Sequence, residues 1–265
     1  MSDYQFINYS VTNRVATIAL NTPKSLNAFH SQMRIELIDA VNRVETDDEV
    51  RVIIITGEGK GFSAGADLTE GLPADGTGKY PSFVEQCEAE YTPWLMAIHD
   101  SRKLYIAAVN GVAAGIGGAL AMNCDLVMMA ESAYLYQAFS AIGLMPDGGA
   151  SLLLLQRLGY QRAIEMAVDA GRLSASECLE LGIANKVVAD EEIMTQAQAW
   201  AEKLALGAPL SQASVKSLMR KVNHMTYQEV VEEEARLQSE LIKSEDCANA
   251  VKAFFAKEKP VFQGK

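Results

Sequence analysis

The sequence has few positive charges and no long hydrophobic run. Its 265 residues carry 23 Lys and Arg against 34 Asp and Glu, a formal net charge of −11 at pH 7. Lys and Arg supply most of the affinity for nucleic acids, so we expect no general nucleic-acid binding, although one local basic cluster can still bind a small polyanion. No apolar run reaches the roughly 18 residues that span a bilayer. We therefore expect neither nucleic acids nor membranes as partners.

Residues that bind metals are also sparse and scattered. The four cysteines lie far apart without CxxC spacing, and the three histidines are equally dispersed: Cys87, Cys124, Cys178, Cys247, His30, His99 and His224. We expect no metal site and no disulfide framework, and free thiols are typical of a reducing compartment. The first ten residues, MSDYQFINYS, lack the basic and apolar segments of a signal peptide. These features predict a cytoplasmic protein.

The pattern of apolar residues predicts an α/β fold. Two β-branched, apolar runs, Val52–Ile55 and Leu104–Val109, indicate buried strands, and Asn27–Val44 has the spacing of an amphipathic helix. Shorter strands are predicted at Phe6–Ser10, Val15–Leu20, Asp125–Met129, Ala133–Tyr136 and near Val187. Helices are predicted at 82–99, 118–122, 149–158, 160–169 and 174–181, with about four more in 191–257. Residues 70–80 have the composition of a turn.

A glycine-rich loop follows each of the two strongest predicted strands. The first loop covers residues 57–67 and the second covers residues 110–118. In a parallel α/β arrangement, such loops lie at the carboxyl ends of the strands, where ligands bind. Glycine lets the backbone approach a ligand closely, and N–H groups at a helix start carry partial positive charge. The two loops either direct two N–H groups at one oxygen or only permit tight turns and close packing.

Two other motifs are incomplete. The glycines at 115–118 do not form a dinucleotide fingerprint, because Leu120 occupies the position of the last glycine. Residues 61–65 match the G-x-S-x-G nucleophile elbow, with Ser63 as nucleophile and His224 as the candidate base. A polar glycine stretch separates the predicted strand from Ser63, whereas an elbow needs the strand to run directly into the serine. We therefore rank a serine hydrolase last among the alternatives.

Six motifs occur in one order along nearly the whole chain. They are PKSLNA (23–28), GFSAGADL (61–68), AAVNGVAAG (107–115), CD (124–125), GLMPDGG (143–149) and PVF (260–262). In these motifs the sequence resembles the enoyl-CoA hydratase/isomerase family, the crotonase superfamily. The resemblance implies a spiral of ββα units in residues 1–200. It also implies a helical C-terminal region, residues 201–265, that builds trimers, often paired into hexamers.

The resemblance also implies an acyl-CoA ligand and a set of residues around it. The CoA would be part of the substrate thioester, with no tightly bound cofactor. The backbone N–H groups of Ala66 and Ile116 would form an oxyanion hole for the thioester carbonyl. The residues implied to border CoA are Lys24, Ser25, Leu26, Ala64, Ala66, Asp67, Leu68 and, from the C-terminal segment, Phe262.

Two departures from the family pattern concern the water-activating glutamates of its hydratases. Ala119 and Phe139 stand at those two positions, and neither side chain can hold a proton or a water. One carboxylate remains, Asp147, directly after Pro146. Isomerases of the family resemble this sequence in having an acid after that proline. Asp147 would move a proton between C2 and C4 of the acyl chain, with its pKa raised by apolar neighbours, or it would cap the following helix; the two roles are compatible.

Together these features predict an enoyl-CoA double-bond isomerase that forms an oxyanion-stabilised enolate. The alternatives are a weak or unusual hydratase, a CoA-thioester binder without turnover, and the serine hydrolase. Tyr91 and Trp94, on the predicted 82–99 helix, are candidates for the wall of the acyl pocket, or are ordinary core or surface aromatics.

Overall fold

The larger of two sheets forms the centre of the molecule. The computed structural model describes residues 4–71 and 79–265, so most of the predicted turn at 70–80 lies outside the described residues. Six strands form this sheet in the spatial order β1-β2-β3-β5-β7-β10, and only β1 pairs antiparallel to its neighbour. Their bounds are Ile7–Thr12 (β1), Val15–Leu20 (β2), Val52–Gly57 (β3), Leu104–Val109 (β5), Leu126–Ala130 (β7) and Lys186–Val188 (β10).

A second sheet of four short strands lies beside the first. Its order is β4-β6-β8-β9, with bounds Gly61–Ser63 (β4), Val112–Ala114 (β6), Tyr134–Tyr136 (β8) and Arg172–Ser174 (β9). Strands β3, β5 and β7 of the large sheet are each followed in the chain by a strand of the small one and then by a helix. This repeat of strand, strand and helix is the predicted ββα spiral, and it confirms the α/β class.

Helices cover both sheets and form most of the C-terminal part. Their bounds are Ser31–Thr46 (α1), Phe83–Gln86 (α2), Thr92–Asp100 (α3), Ile116–Asn123 (α4), Ala150–Val168 (α5), Ala175–Glu180 (α6), Ile193–Ala205 (α7), Pro209–Met219 (α8), Tyr227–Ile242 (α9) and Glu245–Ala256 (α10). A single π-helical turn, Cys87–Tyr91, joins α2 to α3. None of the helices in the described residues is long and apolar enough to cross a membrane.

Strand β3 shows why the sheet is the core. All six of its residues are buried, and Ile53, Ile54 and Ile55 have no exposed surface. Each such side chain contributes about 1.5–3 kcal/mol relative to leaving it in water. The continuous apolar run that predicted this strand is explained by the coverage of the sheet on both faces.

The first predicted helix begins four residues later than expected. Leu26 and Asn27 adopt left-handed backbone angles, with φ of 51° and 57°, so they cannot belong to a right-handed helix. The Asn27 side chain is buried and bonds the backbone of Thr22, Glu58 and Gly61, which fixes that turn. The helix α1 then begins at Ser31.

Candidate active site

The first glycine-rich loop holds Ala66 in a parallel β-bridge with Phe29. The Phe29 N–H donates to the Gly65 carbonyl at 2.8 Å, and the Asp67 N–H donates to the Phe29 carbonyl at 3.2 Å. In a parallel bridge, the residues that flank Ala66 make these bonds, so the N–H of Ala66 itself points away from Phe29. It donates no backbone hydrogen bond to any described residue. Ala66 is therefore a free N–H donor on a rigid support.

The second glycine-rich loop ends at Ile116, the first residue of α4. The N–H of a first helical residue has no partner within the helix and carries part of the positive end of the helix dipole. Gly115, with φ of 52°, turns the chain into the helix, and its N–H is bonded to the Tyr136 carbonyl at 2.9 Å. Ile116 is thus a second N–H donor at a fixed position.

The two loops are in direct contact. A Cβ atom added to Gly65 would lie 2.8 Å from the Ala114 carbonyl oxygen and 3.6 Å from the Ile116 nitrogen. Gly65 also has φ of 91°, which favours glycine. The fold therefore needs glycine at this position, and the contact brings the peptide of Ala66 beside that of Ile116. The two N–H groups therefore belong to neighbouring stretches of chain.

Asp147 directly precedes a glycine that packs against the start of α4. A Cβ atom added to Gly148 would be 3.0 Å from Ile116 Cγ1 and 3.1 Å from Ala119 Cβ, so the chain at Asp147 packs on the first turn of α4. Burial raises the pKa of Asp147 to about 6. Its Oδ1 is buried and has no hydrogen-bond partner in the described residues. Asp147 is a carboxylate with raised basicity and an unused oxygen.

The predicted capping role of Asp147 is not what the structure shows. Gly149 occupies the N-cap of α5, which begins at Ala150, and no side chain caps that end. Only the backbone carbonyl of Asp147 takes part, accepting the Ala150 N–H at 3.0 Å. The two glycines after Asp147 both have positive φ, so the chain turns before the helix begins. The carboxylate is left at the cavity.

A cavity of about 610 Å³ extends from Asp147 and Ile116. Its wall is mostly apolar, with Leu95, Met96 and Leu152 among its side chains. Mostly apolar cavities of several hundred Å³ with a few polar groups are typical of small-molecule sites. The C-terminal helical region also contributes, through Met219, Arg220 and His224 at the end of α8 and just after it.

The two candidate aromatics of the pocket wall have different positions. Tyr91 lines the cavity. Trp94 is fully buried in the core and stacks on Phe29, with ring centroids 5.7 Å apart. The prediction of a pocket residue fits Tyr91, and the alternative of a core aromatic fits Trp94.

The two positions at which the resemblance implies glutamates in hydratases carry apolar side chains near the start of α4. Ala119 is buried and lies under Gly148, as the 3.1 Å distance shows. The ring of Phe139 comes within 3.7 Å of where a Cβ atom on Gly115 would be. A methyl group and a phenyl ring thus occupy these two positions.

Most of the residues expected to border CoA lie on two segments of the chain that contact each other. Lys24 and Ser25 belong to a 3₁₀ turn that ends at Leu26, and the Ala64 N–H donates to the Leu26 carbonyl at 2.8 Å. This bond aligns residues 24–26 with residues 64–68 beside the free N–H of Ala66. Leu26 and Leu68 are 39% and 52% exposed, so both present apolar surface to a ligand.

Asp67 and Phe262, also expected to border CoA, have hydrogen-bond partners within the chain. The Asp67 carboxylate accepts bonds from the Thr69 hydroxyl and N–H, and these lower its pKa, so it caps the short turn Leu68–Glu70. The Phe262 carbonyl accepts a bond from Arg51, just before β3 begins. The glycine-rich loop follows the other end of β3, so Phe262 lies apart from Ala66.

Ser63 is part of the support of the first loop. Its hydroxyl donates to the Asn27 carbonyl at 2.9 Å and accepts the Gly65 N–H at 3.1 Å. The side chain is fully buried, and a Cβ atom on Gly117 would lie 2.7 Å from Ser63 Cβ. A serine in this position has no access to a substrate carbonyl.

A buried ion pair that no sequence motif indicates lies behind the first loop. Arg34 of α1 and Glu90 of the π-helical turn are 2% and 1% exposed, and their charged atoms are 2.6 Å apart. Arg34 precedes Leu37 by three residues and Val41 by seven, so helical spacing places it at the edge of the apolar face. Only the tertiary structure shows that Glu90 is its partner.

Comparisons with known proteins agree with this geometry. A family model of enoyl-CoA hydratase/isomerase proteins matches residues 10–265. The 1,2-epoxyphenylacetyl-CoA isomerase of Escherichia coli K12 is 36% identical over 261 residues, which cover 98% of this chain and 99% of that protein. A Rhodobacter capsulatus protein named "Probable enoyl-CoA hydratase" is also 36% identical, over 262 residues and 99% of both chains.

A solved structure of an enoyl-CoA hydratase has the same fold as this chain. The crystal structure of an enoyl-CoA hydratase from Polaromonas sp. JS666 superposes with a TM-score of 0.89 at 30% identity, covering 97% of this chain and 99% of that one. The fold is therefore of the crotonase type. The chain belongs to the enoyl-CoA hydratase/isomerase family, since the family model and the relatives each cover nearly all of it.

Proposed function

We propose that this protein is an acyl-CoA isomerase that shifts a carbon–carbon double bond through an enolate, with Asp147 as its single base. The observation that carries the proposal is the position of Asp147. Its Oδ1 is buried without a partner in the described residues, and the next residue, Gly148, packs against Ile116. The two positions that the resemblance assigns to the hydratase glutamates, Ala119 and Phe139, are apolar. The relatives named above include both an isomerase and a hydratase, so the proposal of an isomerase rests on these residues.

The reaction uses the two loops and the carboxylate in sequence. The thioester carbonyl of a 3-enoyl-CoA accepts the N–H groups of Ala66 and Ile116. Asp147 removes a proton from C2, and the C–H electrons form the enolate, whose negative charge is on that carbonyl oxygen. The carbonyl then reforms, the double bond moves to C2–C3, and C4 takes the proton back from Asp147. No electrons are gained or lost overall.

The rate effects expected of the two N–H donors and of a single base are consistent with this mechanism. An oxyanion donor is worth about 10²–10³ in rate, and a positioned base about 10²–10⁴. A pKa of about 6 leaves Asp147 ionised at neutral pH while making it a stronger base than an exposed aspartate. One shuttle base suffices to move a proton between two carbons, whereas hydration also needs a group that holds and activates water.

The test is the conversion of 3-enoyl-CoA thioesters of several chain lengths to their 2-enoyl isomers, followed by chromatography and mass spectrometry. Asp147→Asn should lower kcat by at least about 100-fold. Asp169→Asn, an exposed aspartate at the end of α5, is the matched control and should retain full activity. Full activity of Asp147→Asn would refute the assignment of the base.

Water addition to 2-enoyl-CoA is measured on the same samples. We propose that it is absent or slow, because Ala119 and Phe139 offer no group for water. Rapid hydration would favour the hydratase alternative. Thioester binding with no reaction across the panel would favour a binder without turnover.

We also propose that the protein assembles as a homotrimer or as a hexamer, through the helical region of residues 201–265. Large apolar side chains are exposed there and near the site: Met145 at 72%, Leu206 at 77%, Phe254 at 77% and Phe255 at 80%. A contact of Phe262 with CoA would then come from a second copy of the chain. Light scattering should give about three or six times the chain mass of 28.7 kDa. The cytoplasmic location stays a prediction.

A further inference from the structure

The buried Arg34–Glu90 pair needs an explanation beyond stability. Taking two charges out of water costs several kcal/mol per ion, and replacing such a pair by apolar residues is often neutral or stabilising. The pair nevertheless lies in the interior, 2% and 1% exposed. Its neighbours indicate what it does.

Arg34 holds the peptide that supports Ala66. Its Nη1 donates to the Phe29 carbonyl at 2.5 Å. The same carbonyl accepts the Asp67 N–H, and Phe29 donates its own N–H to Gly65. Arg34 therefore holds Phe29, which is hydrogen-bonded to the residues before and after Ala66. Any movement of Phe29 would move the proposed first oxyanion donor.

Arg34 also holds the chain that follows Ala66. Its Nη2 lies 3.1 Å from Glu70 Oε2, at the end of the short turn after Asp67. Glu70 in turn accepts the Ser31 N–H at 2.8 Å, at the start of α1. The Arg34 guanidinium thus holds both ends of the segment from Ala66 to Glu70. It holds the first end through the Phe29 peptide and the second through the Glu70 carboxylate.

A third contact extends from Arg34 towards the base. Its Nη1 donates to the Tyr91 hydroxyl at 3.2 Å, and its guanidinium lies over the Tyr91 ring, 5.1 Å from the centroid. Burial raises the pKa of Tyr91 to about 12, and the charge of Asp147 adds to that rise, so Tyr91 faces Asp147 across the cavity. Arg34 therefore contacts both Phe29, which supports Ala66, and Tyr91, which lines the same cavity as Asp147.

The cluster around Arg34 is electrically balanced. Glu90 accepts bonds from the Lys79 ammonium at 2.6 Å and the Tyr80 hydroxyl at 2.8 Å as well as from Arg34. Burial tends to raise the pKa of Glu90, but the hydrogen bonds from Lys79, Tyr80 and Arg34 lower it to about 2. The positive charges of Arg34 and Lys79 cancel those of Glu70 and Glu90. The connection of the cluster to Ala66 is the hydrogen bond from Arg34 to the Phe29 carbonyl.

From these contacts we infer that Arg34, held by Glu90, is the positioning residue of the first oxyanion donor. It touches no substrate and acts through the Phe29 carbonyl on the Ala66 N–H. The inference rests on the proposed function in one respect, since it takes Ala66 to bind the thioester oxygen.

The test compares Arg34→Met with Arg236→Met. Arg236 is an exposed arginine on α9 that pairs with Glu233 and Glu240, so it controls for the loss of an arginine with two carboxylate partners. For Arg34→Met we expect kcat to fall about 10- to 100-fold and KM to change less than about threefold. The loss of rate is smaller than the roughly 10²–10³-fold loss caused by removing an oxyanion donor, because the Ala66 N–H is displaced and not removed. Arg236→Met should leave both constants unchanged.

Amide hydrogen exchange is the second readout, and it needs no turnover. In Arg34→Met the amides of residues 64–70 should exchange at least about tenfold faster, while those of β3 stay protected. A merely structural role would instead raise exchange throughout the core. Unchanged exchange at 64–70 with unchanged kcat would overturn the inference.

Glu70→Ala keeps the inference testable if Arg34→Met does not fold. The Glu70 side chain is 35% exposed, so its removal leaves the core intact and loosens only the downstream attachment. We expect kcat to fall about three- to tenfold and exchange at 64–70 to rise, at an unchanged melting temperature. No change in either refutes the inference. If the wild type does not isomerise 3-enoyl-CoA, the proposed function fails, and the exchange result still decides the role of Arg34.

Discussion

Gly148 rests on the side chain of Ile116, with only 3.0 Å between Ile116 Cγ1 and the position that a Cβ atom on Gly148 would occupy. This contact ties the proposed base to the helix that carries the second proposed oxyanion donor. Asp147 precedes the glycine directly, so the carboxylate and the Ile116 N–H belong to one packed unit.

Gly148→Ala should separate Asp147 from the donors. The new methyl group would meet Ile116 and Ala119, and the residue has φ of 60°, which strains any side chain by about 1–3 kcal/mol. We expect kcat to fall at least about tenfold, because small misplacements of reacting groups are costly. Gly182→Ala, with φ of 73° and no atom within 4 Å of its Cβ position, carries the same backbone strain without the contact. Equal activity of the two variants would contradict this reading of Gly148.

The activity should depend on pH through Asp147. Its pKa is about 6, and the base must be ionised to remove a proton. We expect kcat/KM to reach a plateau above pH 6 and to fall about tenfold per pH unit well below it, since one proton blocks the base. A pH–rate profile between pH 4.5 and 8 is the measurement. A flat profile across that range would exclude Asp147 as the base.

Asp147 should also lower stability at neutral pH. Its pKa is higher in the folded protein than the roughly 3.9 of an unfolded chain, so the folded state binds more protons between these values. The stability that the neutral carboxyl group contributes is full below about pH 4 and is lost as pH rises through 6. Asp147→Asn should therefore be more stable than the wild type at pH 7, by up to about 3 kcal/mol. Denaturant unfolding at pH 5 and pH 7 measures this gain, which should shrink at pH 5.

Gly65→Ala should disrupt the contact between the two loops. Its methyl group would lie 2.8 Å from the Ala114 carbonyl oxygen, in addition to the strain of φ at 91°. We expect lower stability, and at least about a tenfold loss in kcat as Ala66 moves away from Ile116. Gly159→Ala, at the kink of α5, is the control, because its φ is 72° and its Cβ position is open. Only the control should keep the catalytic rate.

Ser63→Ala should distinguish support from nucleophilic attack. The substitution removes a bond to the Asn27 carbonyl and one from the Gly65 N–H, both buried. Leaving such groups unpaired costs about 1–3 kcal/mol. We expect a lower melting temperature but measurable isomerisation at temperatures where the variant is folded. Thioester hydrolysis by the wild type that Ser63→Ala abolishes would instead favour the serine hydrolase.

Much of the fold could be predicted because it depends on local patterns. The apolar runs of β3 and β5 and the spacing of the four last helices match the structure closely. Strands β4, β6 and β9 have three residues each, too few to show alternation, and two of them lie inside the glycine-rich loops. The predicted 82–99 helix contains a π-helical turn that periodicity does not show. Such a turn adds a residue and shifts the faces of the helix.

The candidate site could also be predicted only in part. Asp147, Ala66 and Ile116 follow from motif positions. The structure packs Gly65 beside the Ile116 nitrogen and Gly148 against the Ile116 side chain, and the roles of the three residues stay predictions. Arg34 and Glu90 could not be paired from sequence, because they are 56 residues apart and their contact depends on how α1 packs against the π-helical turn. Sequence patterns predict elements and loop positions well, but not which charged side chains the packing buries.

The proposed oxyanion donors are peptide groups, and this affects how the site responds to mutation. A routine alanine scan passes over Ala66 and leaves the Ile116 N–H in place, so it would not reveal either donor. The proposed capacity to polarise the thioester depends on the path of the chain, at glycines such as Gly65 that leave no room for a Cβ atom. Side chains such as Ala119 and Phe139 can therefore be exchanged while the two N–H groups stay in place.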